Sequence, residues 1–164
     1  MELKKNEKQH FIKSLKAGNY VKDPNLYLPD NPEGIIEVTN FGIQLFEDEG
    51  VYFLPLKLTE IDLINFGFIL ESTTHSSFPV SDISRLNRTY YYPEDVQDIK
   101  IEVIYDGEGK ELRRIGIKTN EFTNLCFIDY VHDLQNIFSF LSGIDIKFKF
   151  IKENKSDQNK YFEN

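Results

Sequence analysis

Between Phe127 and Leu141 the apolar residues recur at helical spacing. Phe127, Tyr130, Val131, Leu134, Phe138 and Leu141 follow the i, i+3, i+4, i+7 rule and line one face. Gly143 stands where a left-handed C-cap belongs, because glycine takes positive φ there without strain. The spacing predicts one main helix over about 128–142. Ile144, Ile146, Phe148 and Phe150 then alternate with Asp145, Lys147 and Lys149, the period of a strand buried on one face. Ile128 and Phe140 fall off the helical stripe. Large exposed apolar patches are uncommon on monomers, so a second packed element is favoured there over a partner surface.

Upstream, the pattern breaks into short pieces. Residues 1–17 read as an N-terminal arm or short helix, in which Phe11, Ile12 and Leu15 can dock one turn. A strand over Asn19–Val21 follows Gly18. Residues 23–34 hold three prolines and read as loop, with Leu26, Tyr27 and Leu28 packing down onto the core. Gly34–Val38, Gly42–Phe46 and Val51–Leu54 read as strands set between turns. Together they suggest a small curled antiparallel sheet, an SH3-like N-terminal part. Thr59 is placed as the N-cap of a short helix, Glu60 to Phe66, ended by Gly67, with Glu60 and Asp62 favoured by the dipole in its first turn.

Residues 72–88 are polar and read as a loop or lid, long for a passive connection. Tyr90-Tyr91-Tyr92 reads as a strand ended by Pro93. Ile99, Ile101, Val103 and Tyr105 alternate up to Asp106-Gly107-Glu108-Gly109, and Leu112, Ile115 and Ile117 return as the second arm of a hairpin. The sum is an α+β fold: a meandering antiparallel sheet with one main helix packed on it, forming a single domain over 18–151. Residues 152–164 read as a charged, disordered tail, in which Tyr161-Phe162 is more simply a frayed end than a docking motif.

Composition adds limits. Hydrophobic residues make up 40% of the chain and aromatics 14%, enough for a real core. No run approaches the length of a membrane-spanning helix, and the charged N-terminus lacks the apolar stretch of a signal peptide. The single cysteine, Cys126, cannot form an internal disulfide, which points to the cytoplasm. A net charge of -8, without a basic cluster, disfavours nucleic acid as a partner. Acidity is read as solubility, or as a surface for basic protein partners.

Three segments carry a resemblance. Gly18-Asn19-Tyr20-Val21, then Leu56-Lys57-Leu58-Thr59-Glu60 running to Asn65-Phe66-Gly67-Phe68, then Tyr130-Val131-His132-Asp133-Leu134-Gln135-Asn136 followed by Leu141-Ser142-Gly143, occur in this order. In order and spacing they resemble a group of uncharacterised proteins encoded by phages and prophages of Bacteroidetes-type bacteria. The last segment is moderately specific, and the first two are weak alone. The resemblance implies a small phage-borne accessory protein, at work in the cytoplasm of the host cell. It brings no catalytic residues.

Candidate chemistry is sparse. His132, Gln135, Asn136 and Ser139 form a polar stripe on the main helix, read as a site for a ligand or extended peptide, or more simply as a solvated face or a histidine pinning a strand. Arg85, Arg88, Tyr90 and Tyr92 form the best ligand-like set, since guanidinium groups and aromatic faces can hold a phosphate and stack a base. The plainer reading is an aromatic strand beside a polar loop. His10, His75 and His132 lie too far apart in sequence to indicate a metal site, and no cofactor is expected. Cys126, between Leu125 and Phe127, is expected to be buried rather than nucleophilic. The expected function is a non-enzymatic protein-interaction factor with a protein partner, possible self-association and no membrane. The alternative is a small-molecule or nucleotide-binding module using residues 72–92, and an enzyme would need His132 or His75 beside a carboxylate in a deep pocket.

Overall fold

The computed structural model describes residues 5–26, 29, 33–48, 53–78, 81–93, 96, 98–106, 111–119 and 126–149. In chain order the elements are α1 (Lys5–Ser14), β1 (Tyr20–Lys22), β2 (Ile35–Glu37), α2 (Asn40–Asp48), β3 (Leu54–Pro55) and α3 (Glu60–Phe66). Then come β4 (Ile69–Phe78), β5 (Ser81–Tyr91), β6 (Ile99–Asp106), β7 (Glu111–Thr119), β8 (Cys126–Ile128) and α4 (Val131–Ser142). The fold is α+β, with two antiparallel sheets ordered β2-β1-β3 and β4-β5-β6-β7-β8. The larger sheet is a meander in which each strand pairs with its neighbours in sequence.

An isolated bridge between Lys57 and Tyr130 stitches the two sheets together. There the Leu58 amide donates to Asp129 O and the Val131 amide to Leu56 O, each at 2.9 Å. The main core lies between one face of the large sheet and the helices α3 and α4. Ile101, Val103, Ile115, Ile117 and Ile128 from the strands meet Leu63, Phe66, Leu134 and Phe138 from the helices. A second, smaller core joins Phe11 of α1 and Leu15 just after it to Val21, Val38 and Phe53.

Both glycine stops fall where the sequence puts them. Gly67 (φ 92°) and Gly143 (φ 73°) are left-handed and end α3 and α4. Thr59 caps α3: its backbone N–H and its hydroxyl both donate to Asp62 Oδ2, at 2.8 and 2.7 Å.

Four elements differ from expectation. Gly42–Phe46 is not a strand but part of helix α2, so the N-terminal part is three short strands with helices between them rather than an SH3-like curl. Phe41, Ile43 and Leu45 satisfy a period of two as well as a short helix, and the cap decides. Thr39 Oγ1 accepts from the Gly42 amide and Thr39 O from the Ile43 amide, both at 3.0 Å.

The described residues of the segment 72–88, which are 72–78 and 81–88, are not a loop. They belong to two long paired strands in which Ser72 to Ser77 of β4 pair with Thr89 to Ser84 of β5. Residues 71–75 are exposed, so β4 buries no face there and shows no apolar alternation. Backbone pairing alone marks it as a strand.

Phe127 and Ile128 belong to β8, and α4 begins only at Val131. Finally, residues 144–149 alternate in burial as predicted, with Ile146 and Phe148 inside, but form no strand ladder. The segment is tied instead by single bonds, the Lys149 amide donating to Asn65 O at 2.6 Å. Tyr27, Leu28, Phe150 and the tail 152–164 lie outside the described residues.

Candidate functional site

The polar stripe of α4 faces inward. Gln135 is buried, and its amide works as a two-sided clamp on the chain itself. Oε1 accepts from the Tyr20 amide at 2.9 Å. Nε2 donates to Gly18 O at 2.9 Å and to Ile146 O at 3.3 Å. At the next residue, Asn136 Nδ2 donates to Ser14 O at 2.7 Å, and its Oδ1 accepts from Asn19 Nδ2 at 3.1 Å. The segment held by this stripe is therefore the turn from the end of α1 to the start of β1, residues 14–20 of the same chain. A buried side-chain amide suits the task because it offers both donors and acceptors to a strand end.

His132 is also buried, at the seam between α4 and α1. Its ring meets the Phe11 ring edge-on at 5.0 Å and stacks against Tyr130 at 5.7 Å. Nε2 lies 3.3 Å from Asp133 Oδ1, and Nδ1 is buried without a hydrogen-bond partner among the described residues. Burial holds its pKa below the usual histidine value, and nearby His10 acts the same way, while Asp133 pulls it back up. His132 thus sits beside a carboxylate, but within packed aromatic rings rather than in a pocket. His75 is exposed on β4.

A third cluster was not foreseen as a unit. Glu60, the first residue of α3, is buried and points into the sheet's core face. Its carboxylate accepts from Arg88 NH1 at 3.0 Å and from the hydroxyls of Tyr90 and Tyr105. The Arg88 guanidinium also lies 5.5 Å from the centre of the Tyr105 ring. Burial, and then the bond to the Glu60 carboxylate, push both tyrosine hydroxyls well above the ordinary phenol value. Three donors on one buried carboxylate satisfy it and lock α3 to β5 and β6. No local sequence signal marks the cluster. The partners lie 28, 30 and 45 residues from Glu60.

The four residues of the proposed ligand set are dispersed. Arg88 and Tyr90 are committed to Glu60. Tyr92 lies in the aromatic core, edge-on to Phe68 and to Phe138 at 5.2 Å each. Arg85, an odd number of residues from Arg88 on the same strand, falls on the opposite face of the sheet.

Outside the core, a shallow cleft of about 270 Å³ lies over the clamp, floored by Asn19 and Gln135. Its rim carries two ion pairs, Lys16–Asp145 at 3.6 Å and Lys147–Glu37 at 2.8 Å. The Ser139 hydroxyl, then Lys16, lowers the Asp145 pKa, and Glu37 raises that of Lys147. Each rim charge therefore already has a partner of opposite sign, which leaves the cleft without a net attraction for an ion.

Several side chains are more exposed than expected, among them Phe127, Tyr130 and Leu141 of the predicted helical stripe. Cys126 is exposed, because β8 is a three-residue edge strand with nothing packed beyond it among the described residues. Phe140 is 87% exposed, and Leu141 beside it 37%. With Ile137, partly buried against the core, they form a second apolar stripe on α4, at i, i+3 and i+4. Among the described residues no cluster of three or more His, Cys, Asp and Glu is placed to hold a metal ion. No helix there is long and apolar enough to cross a membrane.

The three segments that carried the resemblance meet in space. Residues 18–20 bond to Gln135, and residues 56–58 pair with 129–131. In comparisons with family models, curated proteins and solved structures, the chain finds no match.

Proposed function

We propose that this chain is a non-enzymatic accessory protein that works by binding a protein partner, with the outward stripe of α4 as its contact surface. The observation that carries the reading is Phe140. At 87% exposed, with Leu141 next to it in sequence, Phe140 is the most exposed of the large hydrophobic side chains among the described residues, ahead of Phe41 at 68%. Burying such a side chain in an interface contributes about 1.5–3 kcal/mol, the scale of an interface anchor.

The internal groups support the same reading. Glu60, Arg88, Gln135 and Asn136 all bond within the fold. A nucleotide-binding role for residues 72–92 would require Arg88 and Tyr90 to leave Glu60. A phage-borne origin and a cytoplasmic setting belong to this proposal too, supported by the sequence resemblance and the single cysteine.

The test compares tagged wild-type protein with Phe140→Asp in lysate of the native host, using quantitative mass spectrometry. A protein recovered in stoichiometric yield with the wild type and depleted at least tenfold with Phe140→Asp supports the reading. Equal recovery by both, with both folded by circular dichroism, rules out α4 as the contact.

A further inference from the structure

The two edges of the large sheet are built differently. At one edge β8 is three residues long, and the chain turns at once into the Lys57–Tyr130 bridge and α4. At the other edge β4 runs for ten residues, paired with β5 on one side. Among the described residues no strand pairs with its outer side. Its register with β5 is unbroken from Ser72 to Ser77, with irregularities only at the two ends. Such an edge presents a row of unpaired N–H and C=O groups, which is a template for another strand.

Edge strands are ordinarily protected by lysine, proline, a bulge in mid-strand or short length. Residues 72–78, Ser-Thr-Thr-His-Ser-Ser-Phe, contain none of the first two, and the bulges lie outside the run Ser72–Ser77. The hydroxyl side chains favour extended backbone in the threonines and add no bulk in the serines.

We infer that β4 is a self-association edge, pairing antiparallel with β4 of a second copy so that two sheets join into one. A second copy is the occupant assigned, because this uncharged edge is where two acidic chains can meet without local repulsion. The chain has 27 acidic and 19 basic residues, so most encounters between copies are repulsive. Residues 72–78 carry no formal charge at neutral pH, so two copies laid antiparallel along them set no like charges opposite one another. Antiparallel pairing of a strand with itself is isologous. It closes as a two-fold dimer that consumes the β4 edge of both copies, so the β4 contact itself does not propagate into a filament. The interface is distinct from the stripe on α4 and stands independently of it.

The experiment is sedimentation equilibrium of the full chain from low micromolar to near-millimolar concentration. Wild type, a Ser72→Lys/Thr74→Lys double variant and Phe140→Asp are run side by side, with circular dichroism on each. Residues 72 and 74 are exposed, so the lysines leave the monomer fold intact while placing two cations of each copy at the shared edge. The expected result is a wild-type dimer, a dissociation constant raised at least tenfold by the lysine pair, and no change with Phe140→Asp. A wild-type protein that stays monomeric overturns the inference. So does a dimer indifferent to the lysine pair, or one dissolved by Phe140→Asp, which would move the interface to α4.

Discussion

Replacing Gln135 by leucine keeps the side-chain volume and removes the clamp between α4 and the start of β1. Two bonds of 2.9 Å and one of 3.3 Å are lost. A net contribution of about 0.5–1.5 kcal/mol per bond applies to each of the two short ones. The Tyr20 amide is also left in a buried site without its acceptor, at a cost of about 1–3 kcal/mol, which overlaps with the first bond. Leucine recovers part of this through apolar burial. The expected loss is about 2–4 kcal/mol, a large share of the ~5–15 kcal/mol available to a domain.

For a domain of this size that corresponds to a fall in Tm of roughly 5–15 °C. Urea unfolding followed by far-ultraviolet circular dichroism measures it directly. Gln135→Glu sharpens the test: a carboxylate still accepts from Tyr20 but faces the carbonyls of Gly18 and Ile146 without a donor. It is expected to be at least as unstable as Gln135→Leu at neutral pH. If Gln135→Leu lies within about 0.5 kcal/mol of wild type, the clamp does not hold β1 and the reasoning fails.

Glu60→Ala leaves the half-buried Arg88 without its carboxylate and is expected to cost about 2–4 kcal/mol. In a double-mutant cycle of Glu60→Leu with Arg88→Met the losses are expected to be less than additive by more than about 1 kcal/mol; strict additivity would mean the pair is not coupled. His132 makes stability depend on pH. Its folded pKa is held below the unfolded value, so its contribution is complete above about pH 6.5 and is lost as pH falls toward the folded value. His132→Gln is expected to flatten the stability change between neutral pH and about pH 5 relative to wild type, and an unaltered slope would assign that change to other groups.

Much of the local structure was legible because its causes are local. The α4 stripe, the stops at Gly67 and Gly143, the Thr59 cap and the β6–β7 alternation each rest on residues a few positions apart, where periodicity and backbone sterics decide. The misread elements had ambiguous or silent local signals. Ile43 and Leu45 fit two periods until Thr39 capped the helix. β4 exposes both faces of its middle, so no apolar alternation was there to read, and only the hydrogen bonds to β5 make it a strand.

The site residues divide in the same way. His132, Gln135 and Asn136 were visible as one stripe, because residues three and four apart share a helix face. Whether that stripe met solvent, a ligand or the chain itself depended on where residues 14–20 lie, more than a hundred positions away. Glu60, Arg88, Tyr90 and Tyr105 could not be assembled from spacing, since a buried carboxylate takes its donors from whatever the sheet brings beneath it. The sequence determined which segments coil, extend and stop, through interactions within a turn or two. Tertiary packing alone decided which polar groups are used up inside, and so left Phe140 and the edge of β4 facing outward.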